Sequence, residues 1–194
     1  MSTARIKQAA LKLFALKGYE GTTMREIGEE AGMKAASIYN HFESKESLFL
    51  LLVRETLSKM DWELTEDKLT KDYELPELKE LLFDIFIGYY TFFSAHQTEL
   101  KFWQRIRYFS PPELEGAYDV NRLGSGRPLL HLYRELFHST VGKNKGLPFP
   151  VEMYIMFYFS FISGYIDSLL IMPFPLSKVH LEQAFEIFWS GLAG

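Results

Sequence analysis

Cysteine is absent from the 194 residues, which excludes a disulfide framework, a thiolate nucleophile and any cysteine-based zinc site. A reducing, cytoplasmic compartment is the expectation. Strand-like alternation is almost as scarce. Apolar residues recur at helical spacing nearly throughout without an internal repeat, so the expected fold is all-α. The opening Met1-Ser2-Thr3-Ala4-Arg5 leads into a segment carrying Lys7, Lys12 and Lys17, unlike the unbroken apolar stretch of a signal peptide. No phosphate loop of the form G-x-x-x-x-G-K-[ST] occurs, and Ser125 lies between Gly124 and Gly126 but is denied the G-x-S-x-G spacing by Leu123 and Arg127. His131 and His138 stand seven apart with no carboxylate pattern to complete a metal site, and read as surface histidines. These absences point away from an enzyme and leave no role for a cofactor or metal.

What is present is a rich supply of core-forming side chains: 47% of residues are hydrophobic and 16% aromatic, ample for a folded protein. The net charge of −4 excludes a generally adhesive polycation, but it is unevenly spread. Met1 to Arg54 carries eight basic and six acidic residues, net +2, leaving −6 for the remainder. The sign of that asymmetry suits a small polyanion-facing end on an acidic body.

Along the chain, Ile6, Ala9, Ala10, Leu13 and Phe14 make one stripe of a first helix from Thr3 to Leu16, stopped by Gly18. Thr23 followed by Glu26 is the capping-box spacing for a second helix, which ends at Gly32. A short third helix is expected over Lys34 to His41, closed by Phe42, and a fourth from Ser44 to about Lys59 acts as connector. A polar stretch between Ser58 and Glu74 follows, and Pro76 is placed to open a fifth helix through Leu78, Leu81, Leu82, Ile85, Tyr89, Phe92 and Phe93. A sixth starts near Glu99 and is broken at Pro111-Pro112, and Gly124 to Pro128 separates it from a helix over Leu129 to Val141. Two more helices, Val151 to Met172 and Ser177 to Leu192, are divided by Pro173-Phe174-Pro175. The domain division expected is 1–47 for a helix-turn-helix and 48–194 for a larger helical domain.

A helix, a glycine turn and a short second helix over Met24 to Phe42 is the arrangement that lays a recognition helix in the major groove of double-stranded DNA. Ile27, Ala31, Met33, Ile38 and Phe42 supply its inward residues, and Lys34, Ser37, Tyr39, Asn40 and His41 its outward ones. The runs Gly18-Tyr19-Glu20-Gly21-Thr22-Thr23, Ile27-Gly28-Glu29-Glu30-Ala31-Gly32 and Ser37-Ile38-Tyr39-Asn40-His41-Phe42-Glu43-Ser44-Lys45-Glu46-Ser47-Leu48 closely resemble the tetracycline-repressor (TetR) family over the first quarter of the chain.

That resemblance implies a transcriptional regulator, by family habit a repressor. It binds a palindromic operator as a homodimer and is released by a small-molecule effector. It implies phosphate contacts by Thr23, Tyr39, His41 and Lys45. The alternatives are plain capping for Thr23, half-buried packing for Tyr39 and His41, and a solvated lysine. Base reading falls to Lys34, Ala35, Ala36, Ser37 and Asn40, at the exposed start and outer face of the third helix.

The resemblance places the dimer interface on the last two helices. The Val151 to Met172 segment is apolar on nearly every side, which independently asks for burial both in its own core and against a twin. Phe157, Phe161, Gly164, Phe185, Phe188 and Trp189 are the expected interface residues. The same segment has the length of a membrane span, about 20 residues. Asp167, Glu152 and three serines argue against insertion, and no membrane partner is expected. For a hydrophobic or aromatic effector, the resemblance points to a pocket among the middle helices, with Phe83, Phe86, Tyr89, Tyr90, Phe93, Phe102, Trp103, Tyr154, Tyr158, Tyr165 and Asp167 as candidate lining. Each aromatic has ordinary core packing as its alternative, and Asp167 has pairing across the dimer.

Overall fold

The computed structural model describes residues 2–59, 68, 71–114, 116–119, 129–141, 149–172 and 175–193. The segments Gly124 to Pro128 and Pro173-Phe174, most of the polar stretch after Ser58, and Ser125 lie outside the described residues. Among the described residues every long element is a helix, as the spacing predicts. The chain divides into two compact units, one from Met1–Met60 with His96–Gly124 and the other from Asp61–Ala95 with Ser125–Gly194. Unlike the functional boundary expected after Ser47, this geometric division leaves the connector helix and the next-but-one helix with the N-terminal unit.

The first unit contains α1 (Ser2–Lys17), α2 (Met24–Ala31), α3 (Ala35–Ile38), α4 (Lys45–Ser58), α6 (Gln97–Tyr108) and a 3-10 turn (Pro112–Leu114), with α5 belonging to the second unit. The predicted stripe of α1 is its buried face, and Gly18 closes the helix at φ 78°, its N–H donating to Phe14 O at 2.9 Å. α1 packs on α2, α4 and α6. Phe49 of α4 centres the core, with ring centroids 5.1 Å from Phe14, 4.9 Å from Tyr19 and 5.5 Å from Phe102. Burying a ring of that size stabilises by roughly 1.5–3 kcal/mol from area alone.

The second unit contains α5 (Leu75–Ala95), α7 (Leu129–Val141), α8 (Val151–Ile171) and α9 (Lys178–Ala193). Its core is aromatic. Phe86 is surrounded by Phe161, Tyr165 and Phe185, with ring centroids 4.8, 5.4 and 6.1 Å away. Two phenols in this core have backbone partners: Tyr158 OH donates to Leu82 O at 2.6 Å, and Tyr90 OH accepts from Leu176 N at 2.7 Å. Such partners offset the cost of taking a hydroxyl out of water.

α8 has the two-sided character its composition predicts. Tyr154, Ile155, Tyr158, Ile162, Ile166 and Leu169 are buried, while Met153, Met156, Phe157, Ser160, Gly164 and Ile171 face outward. It is also long and apolar enough to cross a membrane by length and composition. On α9, Val179 and Ile187 are exposed.

Candidate nucleic-acid interface

Two glycines let α2 and α3 form their angle. Gly32 ends α2 in the left-handed region at φ 67°, where a side chain is strained. Gly28 lies under the start of α3. A Cβ there would stand 2.9 Å from Met33 O and 3.1 Å from Ala35 N, so the close approach of the two helices depends on its missing side chain. Ile27, Ala31, Ile38 and Phe42 are buried as predicted, and Met33 is half-buried.

The start of α2 is a reciprocal capping box. Thr23 Oγ1 accepts from Glu26 N at 3.2 Å, and the Glu26 carboxylate accepts from Thr23 N at 2.8 Å and from Thr23 Oγ1 at 2.9 Å. Lys17 Nζ donates to the same carboxylate at 2.7 Å. These donors, Lys17 first and Thr23 after it, hold the Glu26 carboxyl down at about 2. Thr23 is exposed and acts as a cap in the free protein.

α3 is a single turn. Lys34 precedes it with extended backbone (φ −72°, ψ 142°) and makes no side-chain cap bond. The helix is shorter than the expected Lys34 to His41 because His41 N and Phe42 N both turn back to Ile38 O, at 2.8 and 2.9 Å. Of the nine predicted contact residues, Thr23, Lys34, Ala36, Tyr39, Asn40 and His41 are exposed, and Ala35, Ser37 and Lys45 are half-buried. Tyr39 is 54% exposed, which sets aside the half-buried alternative for its ring.

Lys45 is engaged rather than solvated: its Nζ donates to Tyr19 O at 2.9 Å and sits 4.0 Å from the centroid of the Tyr19 ring. An ammonium has three donors, so this contact leaves N–H groups for an anion. Burial, with Glu46 and Glu113 nearby, raises the Tyr19 phenol above its ordinary value. His41 is held by α1, its Nε2 lying 3.2 Å from Ser2 Oγ and its Nδ1 3.2 Å from Thr3 Oγ1. Sequence reasoning missed Ser2, Thr3 and Arg5, whose contacts span more than 25 residues and leave no local mark. It also missed Gly28, which a glycine inside a helical pattern could have flagged as a close approach.

The effector candidates fall in different units: Phe102 and Trp103 lie on α6 of the first, the other nine on α5 and α8 of the second. Phe86, Tyr89, Tyr90, Phe93, Tyr154 and Tyr158 are buried and Asp167 is half-buried. In the second unit a surface groove of about 390 Å³ runs between α5 and α9, lined by Pro76, Lys79, Glu80, Phe83, Glu182, Phe185 and Glu186, of which Phe83 alone is among the effector candidates. Of the expected dimer residues Phe157 and Gly164 are exposed and Phe161 is half-buried. Phe185, Phe188 and Trp189 are buried inside the protomer, packed against one another and, through Phe185 and Phe188, against Phe161. Periodicity tells a buried stripe from a solvated one and is silent on which of two cores covers it.

Residues 6–52 match the family model for bacterial regulatory proteins of the tetR family. The chain is 38% identical over 71 residues to the HTH-type transcriptional repressor AcnR of Corynebacterium diphtheriae, covering 37% of each chain. It is 31% identical over 80 residues to IcaR, the biofilm operon icaADBC HTH-type negative transcriptional regulator of Staphylococcus aureus, covering 41% of this chain and 43% of the relative. The matched stretch therefore spans well under half the length of these relatives. Solved structures extend the likeness of fold to nearly the whole chain. Transcriptional regulator FadR from Bacillus subtilis, in complex with stearoyl-CoA, superposes with a TM-score of 0.71 at 19% identity, covering 97% of this chain and 98% of that one. A putative fatty acid metabolism regulator from Clostridium perfringens gives 0.69 at 18% identity, covering 98% and 97%.

Proposed function

We propose, from the premise that the chain belongs to the tetR family of bacterial regulatory proteins, that it is a sequence-specific DNA-binding repressor of transcription working in the cytoplasm. The observation that carries this reading is the turn between α2 and α3. Gly28 and Gly32 set it, and the capping box holds α2, so that Ala36, Tyr39, Asn40 and His41 project from one exposed surface. In this reading Lys34, Ala35, Ala36, Ser37 and Asn40 meet base edges, while Thr23, Tyr39 and Lys45 meet phosphates, as does His41 where a phosphate takes the place of one of the hydroxyls on its ring nitrogens. The functional division is a reading head over 1–47 and an effector-binding and dimerising body over 48–194.

The protein acts as a homodimer on a palindrome, the two heads reading half-sites about 34–36 Å apart. The outward face of α8, with Phe157, Phe161 and Gly164 among Met153, Met156 and Ile171, and that of α9, with Val179 and Ile187, form the self-complementary surface. Phe185, Phe188 and Trp189 support it from beneath. Pairing is favoured over membrane insertion because Ser160, Gly164 and half-buried Asp167 interrupt the apolar character of α8. The effector is a small hydrophobic or aromatic molecule bound among the aromatics of the body, and the stearoyl-CoA held by FadR makes a long-chain acyl thioester the first compound to try. It releases the operator by changing the spacing of the two heads. Moving the population from 1:99 to 99:1 requires a preference for the unbound form of about 5.5 kcal/mol.

Selection of duplexes from a random pool tests the reading. A palindrome is expected to emerge, and Tyr39→Ala and Asn40→Ala are expected to weaken its binding. A protein that stays monomeric, or that binds every duplex alike, overturns it.

A further inference from the structure

The DNA-binding reading leaves the first turn of α1 without a role, yet that turn reaches both ends of α3. Arg5 Nη2 donates to Ala31 O at 2.7 Å, at the last residue of α2 and just before the Gly32 turn. Ser2 and Thr3 hold His41, three residues past the end of α3, through both of its ring nitrogens at 3.2 Å. The helix between these two points has four residues and one fully buried anchor, Ile38. A single helical turn has almost no stability of its own, and no side chain caps this one at Lys34. Its orientation must come from what grips its flanks.

We propose that Ser2, Thr3 and Arg5 form a clamp that fixes the orientation of α3 and are positioning residues for DNA recognition. This rests on the DNA-binding reading for its consequence, but the clamp itself is a property of the free protein. At one end, the carbonyl of the last residue of a helix has no donor within its helix and carries part of the negative end of the dipole. A guanidinium suits it on both counts. A Cβ at Gly32 would lie 2.9 Å from the same Arg5 Nη2, so a side chain there would push the guanidinium aside. At the other end, a neutral imidazole offers one donor and one acceptor, and a hydroxyl can serve either, so the pair of hydroxyls satisfies His41 in both tautomers. Two neutral hydroxyls and one cation thus fix the approach to α3 and the exit from it.

The test uses the whole chain in four variant forms: a Ser2→Ala, Thr3→Val double variant, Arg5→Met, and the conservative variants Thr3→Ser and Arg5→Lys. Amide hydrogen exchange without DNA is expected to rise at residues 35–41 in the first two, while the melting temperature of the double variant stays with the wild type. On DNA, the double variant is expected to lose about tenfold in preference for the selected operator over a scrambled duplex, with the salt dependence of binding unchanged. Thr3→Ser is expected to behave as wild type and Arg5→Lys to recover part of the loss. Unchanged exchange at 35–41 overturns the clamp. So does an equal loss on both duplexes with the salt slope reduced by about one, which marks a phosphate contact in place of a positioning residue. A wild type without sequence preference sinks the DNA-binding reading, and the exchange data then still decide the clamp.

Discussion

The two compact units are held together by different kinds of interaction. In the first, α2 and α4 are started, and α1 and α2 stopped, by neighbours in sequence, while α3 has no side-chain cap and is flanked by contacts from α1. Thr23 and Glu26 cap α2, Ser44 and Ser47 cap α4 with contacts of 3.0 and 3.1 Å, and Gly18 and Gly32 end helices at positive φ. In the second, α5 has such a device at its start, where the Glu77 carboxylate accepts from Glu74 N at 2.9 Å, but those before α8 and α9 are looser. Ser177 Oγ accepts from His180 N only at 3.4 Å, and Pro150 before α8 makes no side-chain cap bond. What fixes those helices is the mutual burial of Phe86, Phe161, Tyr165, Phe185 and Phe188 from three different elements. Local devices set where single helices begin and end, whereas a large apolar interior can be assembled only by residues distant in the chain.

The contrast can be broken most severely at Phe86, which is fully buried. Phe86→Ala is expected to cost about 3–5 kcal/mol in the second unit, seen in urea unfolding, while amide protection over residues 24–58 persists. Loss of protection there would mean that the units do not stand apart energetically. Gly28→Ala is the next largest. Its Cβ meets backbone atoms of Met33 and Ala35, which have little freedom to move, and overpacking of this kind costs about 1–3 kcal/mol. Operator binding is expected to fall further than thermal stability does, as paired binding and melting measurements will report.

Loss of a cap is smaller, and it sharpens the comparison. Thr23→Ala and Ser44→Ala are each expected to destabilise by about 1 kcal/mol, whereas Ser177→Ala, with its long contact, should change the denaturation midpoint little. The smallest effect expected is the share of the acid pH dependence that comes from Glu26. Glu26 titrates at about 2 against an ordinary 4.5. Its carboxylate therefore contributes fully above about 4.5 and loses that contribution as the pH falls towards 2. In Glu26→Gln the decline of melting temperature across that window should be shallower than in the wild type. Identical slopes would show that the capping box does not depend on the charge.

This difference also governs how far the amino-acid order could be read. The extents of α1, α2 and α4 follow from Gly18, Thr23, Glu26, Gly32 and Ser44, because the residue that sets each boundary lies within a turn of it. The exposure of Tyr39 and Asn40 follows from the same register. Helix existence was legible in the second unit as well, since Leu78 to Phe93 and Val151 to Met172 repeat at helical spacing. The partners of their rings were not: Phe102 packs on Phe49 while Phe86 packs on Phe161, and nothing near either residue announces which core it joins. Phe185, Phe188 and Trp189 illustrate the same gap, because an apolar stripe has the same pattern whether its own protomer or another covers it. The hold of α1 on His41 and Ala31 was equally invisible, since it pairs residues that only the folded chain brings together.

Ala35 and Ala36 give the recognition turn two methyl groups where other side chains would reach further. Ala36 is exposed and Ala35 half-buried, and Ile38 and Phe42 carry the burial beneath them. If the proposed reading holds, these two positions are in effect blank type in a fixed press: new letters set there would change which duplexes are chosen while the frame around them stays as it is.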